Sequence, residues 1–500
     1  MGVFDNLALG FQVALTVGNL SYCFIGVLLG TLVGVLPGIG PVTTVAVLLP
    51  LTFSLPPEPA LIMLAGIYYG AQYGGSTTSI LVNMPGEASS VVTTIDGHRM
   101  ARLGRAGPAL GIAAVGSFFG GCVATLVVAL FAPWLAQVAL QFDPAAYFSL
   151  MCFGLVGAIV LAHGSVLKSV AMVGLGLAFG LVGPDVSTGA IRFGLGLDGL
   201  ADGIGFVPMA MGIYGIAEVA RNLEQREAGR AYAAHIGRVW PRFADLRHCF
   251  GSMLRGTGVG SALGLLPGGG ALLAAFAAYA LEKKVARPPR TFGEGDIRGV
   301  AAPETANNAG AQTSFIPMLT LGLPSNPTMA MMIGALMIQG VAPGPRVMID
   351  RPGLFWGIVA SMWIGNVMLV ILNLPLVGLW VKLLKIPYRL MFPAIVVFCA
   401  IGVYAVGNST FDVFVMAFFA AFGYLAMKLG CEPAPFVLAF VLGPLMEQYL
   451  RRAMLISRGD ATVLVAEPIS LAFLVASALL LVAVMAPAIR RKRDEAMQED

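Results

Sequence analysis

No charged residue interrupts ALGIAAVGSFFGGCVATLVVALFAPWL, residues 109–135, or ISLAFLVASALLLVAVMAPAI, residues 469–489. Each run meets the roughly 20 apolar residues that carry a helix across the hydrocarbon core of a bilayer. About ten to twelve such segments fit along the chain. Charged residues make up 11% of the 500-residue chain and mean hydropathy is +0.85, whereas an ordinary soluble domain is about 25% charged. The period-two alternation of a transmembrane barrel is absent. Only helices and closed barrels satisfy their backbone inside lipid, so the expected fold class is an all-α polytopic membrane protein. The net charge of +4 is spread over loops rather than gathered on one face, which gives no footprint for nucleic acid. The six cysteines are scattered with no CxxC pair, against a zinc site or a disulfide framework. The start, MGVFDNLALG, lacks a basic n-region and a cleavage pattern, so it is not expected to be a removable signal peptide.

One apolar stretch is broken where a break is least welcome. Residues 34–40 read GVLPGIG, and irregular backbone survives at membrane depth only where protein buries it or a wet cavity borders it. GLLPGGG at 264–270 repeats the motif. Upstream, Gly26, Gly30 and Gly34 fall on Gly256, Gly260 and Gly264, a small-residue ridge that lets helices approach closely. Downstream, GAQYGGSTTSILVNMPGEAS (70–89) lies against GAQTSFIPMLTLGLPSNPT (310–328), with Gln72 on Gln312 and Pro85 on Pro324. The chain reads as a duplication. Repeat one spans 1–220, with a hairpin at 21–53 and a broken helix around 70–90. A basic cytoplasmic linker follows at 221–250. Repeat two spans 251–467, with a hairpin at 252–281 and a broken helix around 303–330, and 468–500 forms a C-terminal helix and basic tail.

Lys and Arg in short loops prefer the cytoplasm. That rule places the linker arginines and Arg490–Arg493 inside and Arg451, Arg452 and Arg458 outside, so the two repeats run in opposite senses. Arg346 and Arg351 are the exception. The segment 252–281 begins and ends near basic loops and is long enough to enter and return, which describes a re-entrant hairpin; a kinked spanning helix is the other arrangement.

Discontinuous helices in paired positions point to a transporter's binding site, because half-helix N-termini aim positive dipoles at an anion. The polar residues collect at the breaks. Around the first lie Pro37, Gly38, Gly40, Thr43, Thr44, Gln72, Gly74, Gly75, Ser76, Thr77, Asn83, Pro85 and Gly86. Around the second lie Pro267, Gly268, Gly270, Asn307, Asn308, Gln312, Pro324, Ser325 and Asn326. Neutral donors can replace the water around a carboxylate without burying a bare charge in the empty site. The same Ser, Thr and Asn types also cap broken helices. Glu87 and Glu304 are the nearest acids, and with Asn83 and Asn308 they are candidates for a coupling ion, sodium or a proton. Asp185, Arg192, Asp198 and Asp202 read as a solvated turn. His98, His163, His235 and His248 suggest no metal site, and WPRFADLRHCF (240–250) reads as an interfacial helix or a loop.

GTLVGVLPGIGP, YYGAQYGGSTTSILVNMPGEASSVVTTIDG and RMARLGRAGPALG in the first half, with GLLPGGGA and AAPETANNAGAQTSFIPMLTLGLPSNPTMAMMIGALM in the second, resemble the large membrane subunit of the tripartite tricarboxylate transporters over nearly the whole length. The resemblance implies cation-driven uptake of a citrate-like di- or tricarboxylate across a bacterial inner membrane. It also implies two partners, a small membrane subunit and an extracytoplasmic solute-binding protein, and no further cofactor. An intramembrane aspartyl protease is disfavoured, because GLGLD (194–198) is one residue too long for GxGD and no Tyr-Asp pair supplies a second acid. A passive anion channel lacks a charge ring or filter repeat.

Overall fold

The computed structural model describes residues 2–36, 39–162, 165–185, 187–225, 237–267, 270–383 and 388–485. The expectations that fall on Pro37, Gly38, His163, His235, Gly268 and the 486–500 tail lie outside these residues. The chain is 79% helical. Among the described residues the sole sheet is a pair of two-residue strands, Gly183–Pro184 against Ile191–Arg192. Among the described residues, four helices are long and apolar enough to cross a membrane: Val17–Gly34, Ala101–Ala139, Pro352–Asn373 and Thr410–Lys428. Six more apolar helices are shorter. The chain is an all-α membrane protein.

Both PGxG stretches interrupt helices. Val17–Gly34 ends before the first and Pro41–Thr52 begins after it, with Pro41 at the first helical position, where its missing N–H costs nothing. Phe243–Gly264 and Gly270–Val285 flank the second break. The arms of this second pair are tied by Arg255, whose Nε and Nη2 each lie 2.8 Å from Glu282, while Ser252 donates to the same carboxylate at 2.8 Å. WPRFADLRHCF does not form a separate element, because Phe243 starts the long helix itself.

Each pair packs on one central helix. Pro57–Val82 is buried from Ala60 through Leu81 without interruption, and every residue of Arg298–Thr313 is buried. The glycine ridges explain how. A Cβ at Gly26, Gly30 or Gly34 would collide with the carbonyl oxygen of Met63, Ile67 or Ala71, and one at Gly256, Gly260 or Gly264 with that of Ala302, Ala306 or Gly310. The central helix of the first pair answers with Gly66, Gly70 and Gly74, whose own Cβ atoms would press on the backbone of residues 23–35. Gly74 therefore serves backbone contact.

The helix around 70–90 breaks late. It is continuous to Val82, and Asn83, exposed and left-handed at φ 58°, terminates it. In the second half Arg298–Thr313 gives way to Phe315–Leu321, then to left-handed Gly322 and a turn that ends where Pro327–Ile338 begins.

Two polar junctions knit distant segments. Asp96, fully buried, accepts N–H bonds at 2.9 Å from Gly293, Gly295 and Asp296 on one oxygen and the Tyr279 hydroxyl at 2.9 Å on the other. Gly293 and Gly295, at φ 88° and 103°, supply the left-handed backbone that turns these N–H groups toward one point. In the expected solvated turn, Asp198 and Asp202 are exposed, but Asp185 and Arg192 are not simply solvated. Arg192 grips Glu447 at 2.6 and 3.0 Å, and Arg451 bonds both Asp185 and Glu447. The N–H of Thr188, then that of Ser187 and the Arg451 guanidinium, hold the Asp185 carboxyl below the usual range.

Candidate binding site

Three helices start around one cavity of about 370 Å³. Gly40, Pro41 and Val42 open the helix after the first break, Gly270, Ala271 and Leu272 open the helix after the second, and Asn326, Pro327 and Thr328 open a third. Each helix is at least 12 residues long, and its first-turn N–H groups have no partner within the helix. Asn326 is built into this end. Its Oδ1 caps the N–H of Met329 at 3.0 Å, and its Nδ2 reaches Ser314 at 3.2 Å and Tyr68 at 3.4 Å. Gly270, at φ 48°, lies so near that a Cβ there would sit 3.2 Å from the Asn326 Cβ.

The rest of the lining comes from Gln72 on the central helix, from the turn Pro85 to Ser89, and from Glu218, Asn222 and Glu432. Glu87 is held in place. Its Oε1 accepts from Ser89 Oγ at 2.6 Å and from Asn307 Nδ2 at 2.9 Å, and Ser89 Oγ also donates to Gln72 Oε1 at 3.2 Å. Asn307 comes from the second half, so this bond crosses between halves; its own Oδ1 is buried without a hydrogen-bond partner.

Of the residues named from sequence, Gly40, Gln72, Pro85, Gly86, Glu87, Gly270 and Asn326 line the cavity together. A second group gathers on Glu304. This fully buried carboxylate accepts from Ser76 at 2.5 Å, from Ser117 at 3.4 Å and from Thr93, while Asn308 donates to Ser117 at 2.7 Å. Ser76 and Thr77 also border a void of about 10 Å³, the volume of a single water. Several residues belong to neither group. Thr44 bonds back to the carbonyl of Gly40, Gly75 packs against Glu87, Pro267 packs on Gly157, and Pro324 is buried beside Ser325, whose hydroxyl is unpartnered.

Gln312 does not mirror Gln72. The ridge that pairs Gly34 with Ala71 pairs Gly264 with Gly310, so the packing register is one residue away from the GAQ match, about a 100° rotation on a helix. Gln72 faces the cavity, whereas both amide atoms of Gln312 are buried without a partner.

Sequence reasoning missed Glu218, Asn222, Glu432, Tyr68, Thr93 and Ser117. Glu218 carried a signal, as the first acid after the apolar run FVPMAMGIYGIA. Thr43, from the first turn of its helix, donates to Glu218 at 2.8 Å. Among the described residues, no Lys, Arg or His lines the cavity, and no three acids, histidines or cysteines are close enough to hold a metal ion between them.

A family model, the tripartite tricarboxylate transporter TctA family, matches residues 20–438. The chain is 56% identical over 500 residues to an uncharacterized 52.8 kDa protein in the TAR-I ttuC' 3' region of Agrobacterium vitis, a match covering all of both chains. It is 57% identical over 241 residues to an uncharacterized protein in the TAR-II ttuC' 3' region of the same organism, covering 48% of this chain and all of that one. No solved structure matches.

Proposed function

We propose, from the premise that this chain belongs to the TctA family of tripartite tricarboxylate transporters, that its cavity of about 370 Å³ is the site where a di- or tricarboxylate crosses the membrane. The family is one of transporter subunits, not enzymes, and implies partners of two kinds, a solute-binding protein and a small membrane subunit. The reading adds a bacterial inner membrane, inward transport and coupling to sodium or protons.

One observation carries the proposal: three helix N-termini, two of them after the paired breaks, converge on one hollow. Each aligned helix contributes about half a positive charge at that end, and unpaired N–H groups are ready anion donors. The volume falls within the range of small-molecule sites, about 300 Å³ and upward. Gln72, Asn326 and Tyr68 add neutral donors. Glu87 and Glu218 oppose an anion, so an accompanying cation or proton eases its entry. Cation and carboxylate then raise each other's affinity by the same factor, which is the physical content of coupling. The two helix pairs read as inverted re-entrant hairpins that expose the cavity to one face at a time.

The test is uptake of labelled di- and tricarboxylates into vesicles containing both partner proteins, with sodium and pH gradients imposed separately. Asn326→Ala should raise the half-saturating carboxylate concentration roughly tenfold, the loss of one hydrogen bond to a charged group. Unchanged kinetics at normal membrane abundance would show that the anion binds elsewhere.

A further inference from the structure

Away from the large cavity, the two central helices enclose a second polar space. Glu304 is wholly buried, and among the described residues no Lys, Arg or His pairs with it. Its side-chain contacts are hydroxyl groups: Ser76 at 2.5 Å and Ser117 at 3.4 Å donate to one oxygen, and Thr93 donates to the other. An ionised carboxylate in an apolar interior is costly without a compensating charge. Ser76 and Ser117 also border the void of about 10 Å³, together with Tyr73, Thr77 and Asn373. Because each serine donates to Glu304, its oxygen keeps lone pairs for another partner, and Asn308 takes only one of those on Ser117, at 2.7 Å. Tyr73 gives its hydroxyl hydrogen to Asn366 at 3.2 Å. Asn373, at the end of Pro352–Asn373, is 7% exposed and donates its Nδ2 to the Leu369 carbonyl at 2.9 Å, but its Oδ1 has no hydrogen-bond partner. A space the size of one water keeps these borders close to a single point. Acceptors therefore surround the hole, and an unbalanced carboxylate stands behind them.

We propose that this void is the seat of a sodium ion, held by the hydroxyl oxygens of Ser76 and Ser117 and the amide oxygen of Asn373, with the Glu304 carboxylate balancing its charge. All-oxygen donors suit a hard cation, and one carboxylate matches one positive charge. A water would fill the volume equally well, but it would leave Glu304 unbalanced. The seat joins four helices: Ser76 comes from Pro57–Val82, Ser117 from Ala106–Ala139, Glu304 from Arg298–Thr313 and Asn373 from Pro352–Asn373. Two of these helices also reach the large cavity. Gln72, one turn before Ser76, lines it, and Asn307, beside Asn308, bonds Glu87 in its wall. Sodium that draws Ser76 and Ser117 together over Glu304 thus steadies the helices that carry Gln72 and Asn307, and so readies the cavity for its solute. That coupling rests on the carboxylate reading of the cavity, whereas the seat itself does not.

The experiment measures thermal unfolding of the purified full-length chain in sodium chloride against choline chloride at equal ionic strength and at several pH values, first without and then with citrate. Sodium alone should raise the midpoint in a saturable way. Glu304→Gln, which keeps the shape of the side chain, should abolish that rise. Ser117→Ala and Asn373→Ala should each raise the half-saturating sodium concentration about tenfold, in line with the affinity lost when a group around a metal is removed. A role in packing alone would lower the midpoint of either alanine variant and leave its half-saturating sodium concentration unchanged, which overturns the seat. So does a Glu304→Gln protein that keeps the full sodium response, or a parent midpoint that follows pH and ignores sodium, since Glu304 then carries a proton. Citrate should add stabilisation only where sodium binds. Failure of the carboxylate reading looks different, because the sodium response and its loss in the variants then persist while citrate changes nothing.

Discussion

A single side chain, Asp96, shows how much of this molecule depends on groups that the sequence presents as loop residues. Its carboxylate satisfies three backbone N–H groups of the segment after the second helix pair, as well as the Tyr279 hydroxyl. Asp96→Ala should destabilise the protein by about 3 kcal/mol, because several buried donors lose their acceptor at once. Asp96→Asn, which keeps an acceptor oxygen, should lose less. Thermal unfolding in detergent reads both, and equal losses would mean that the backbone donors find water instead. The partner of Asp96 lies about 200 residues away, and nothing local in the sequence announces it. Glu218 was missed for a related reason. An acid at the end of an apolar run reads as the edge of a span until the first helix pair folds over it and sets Thr43 against it.

Helix pairing was far more legible, because a glycine every fourth residue has few uses in lipid other than close contact. Gly260 faces the Ala306 carbonyl with no room for a Cβ, whereas a Cβ on Gly258, on the same helix, meets nothing within 4 Å. Gly260→Val should therefore sharply lower folded protein in the membrane, and Gly258→Val should leave it near the parent level. Quantitative immunoblotting and size-exclusion profiles distinguish these outcomes, and similar losses from both would mean that helix propensity, not the interface, is responsible. The one-residue slip that separates Gln72 from Gln312 was illegible. A motif match aligns letters, whereas packing is decided by which carbonyl each glycine approaches, and one position on a helix swings a side chain by about 100°.

At the scale of the molecule, the two halves meet in shared walls. Ala88 and Leu272 line the same cavity from opposite halves. In a background freed of reactive native cysteines, Ala88→Cys and Leu272→Cys should both react with a small polar thiol reagent, and citrate with sodium should protect both. Protection of only one would show that the halves enclose separate spaces. The placement of polar clusters at paired breaks was readable because membrane burial forbids such clusters without a reason. How they divide between the cavity and the Glu304 group was not, since Ser76 and Gln72 sit one turn apart on one helix yet face different neighbours. Peptide N–H ends and acids also interleave around the hollow, since Thr43, one turn into the helix that opens at Gly40, bonds Glu218. If the proposed carboxylate site is right, a guest has to set each of its charged groups against an N–H end and keep it off an acid, so the arrangement of its charges would count as well as its size.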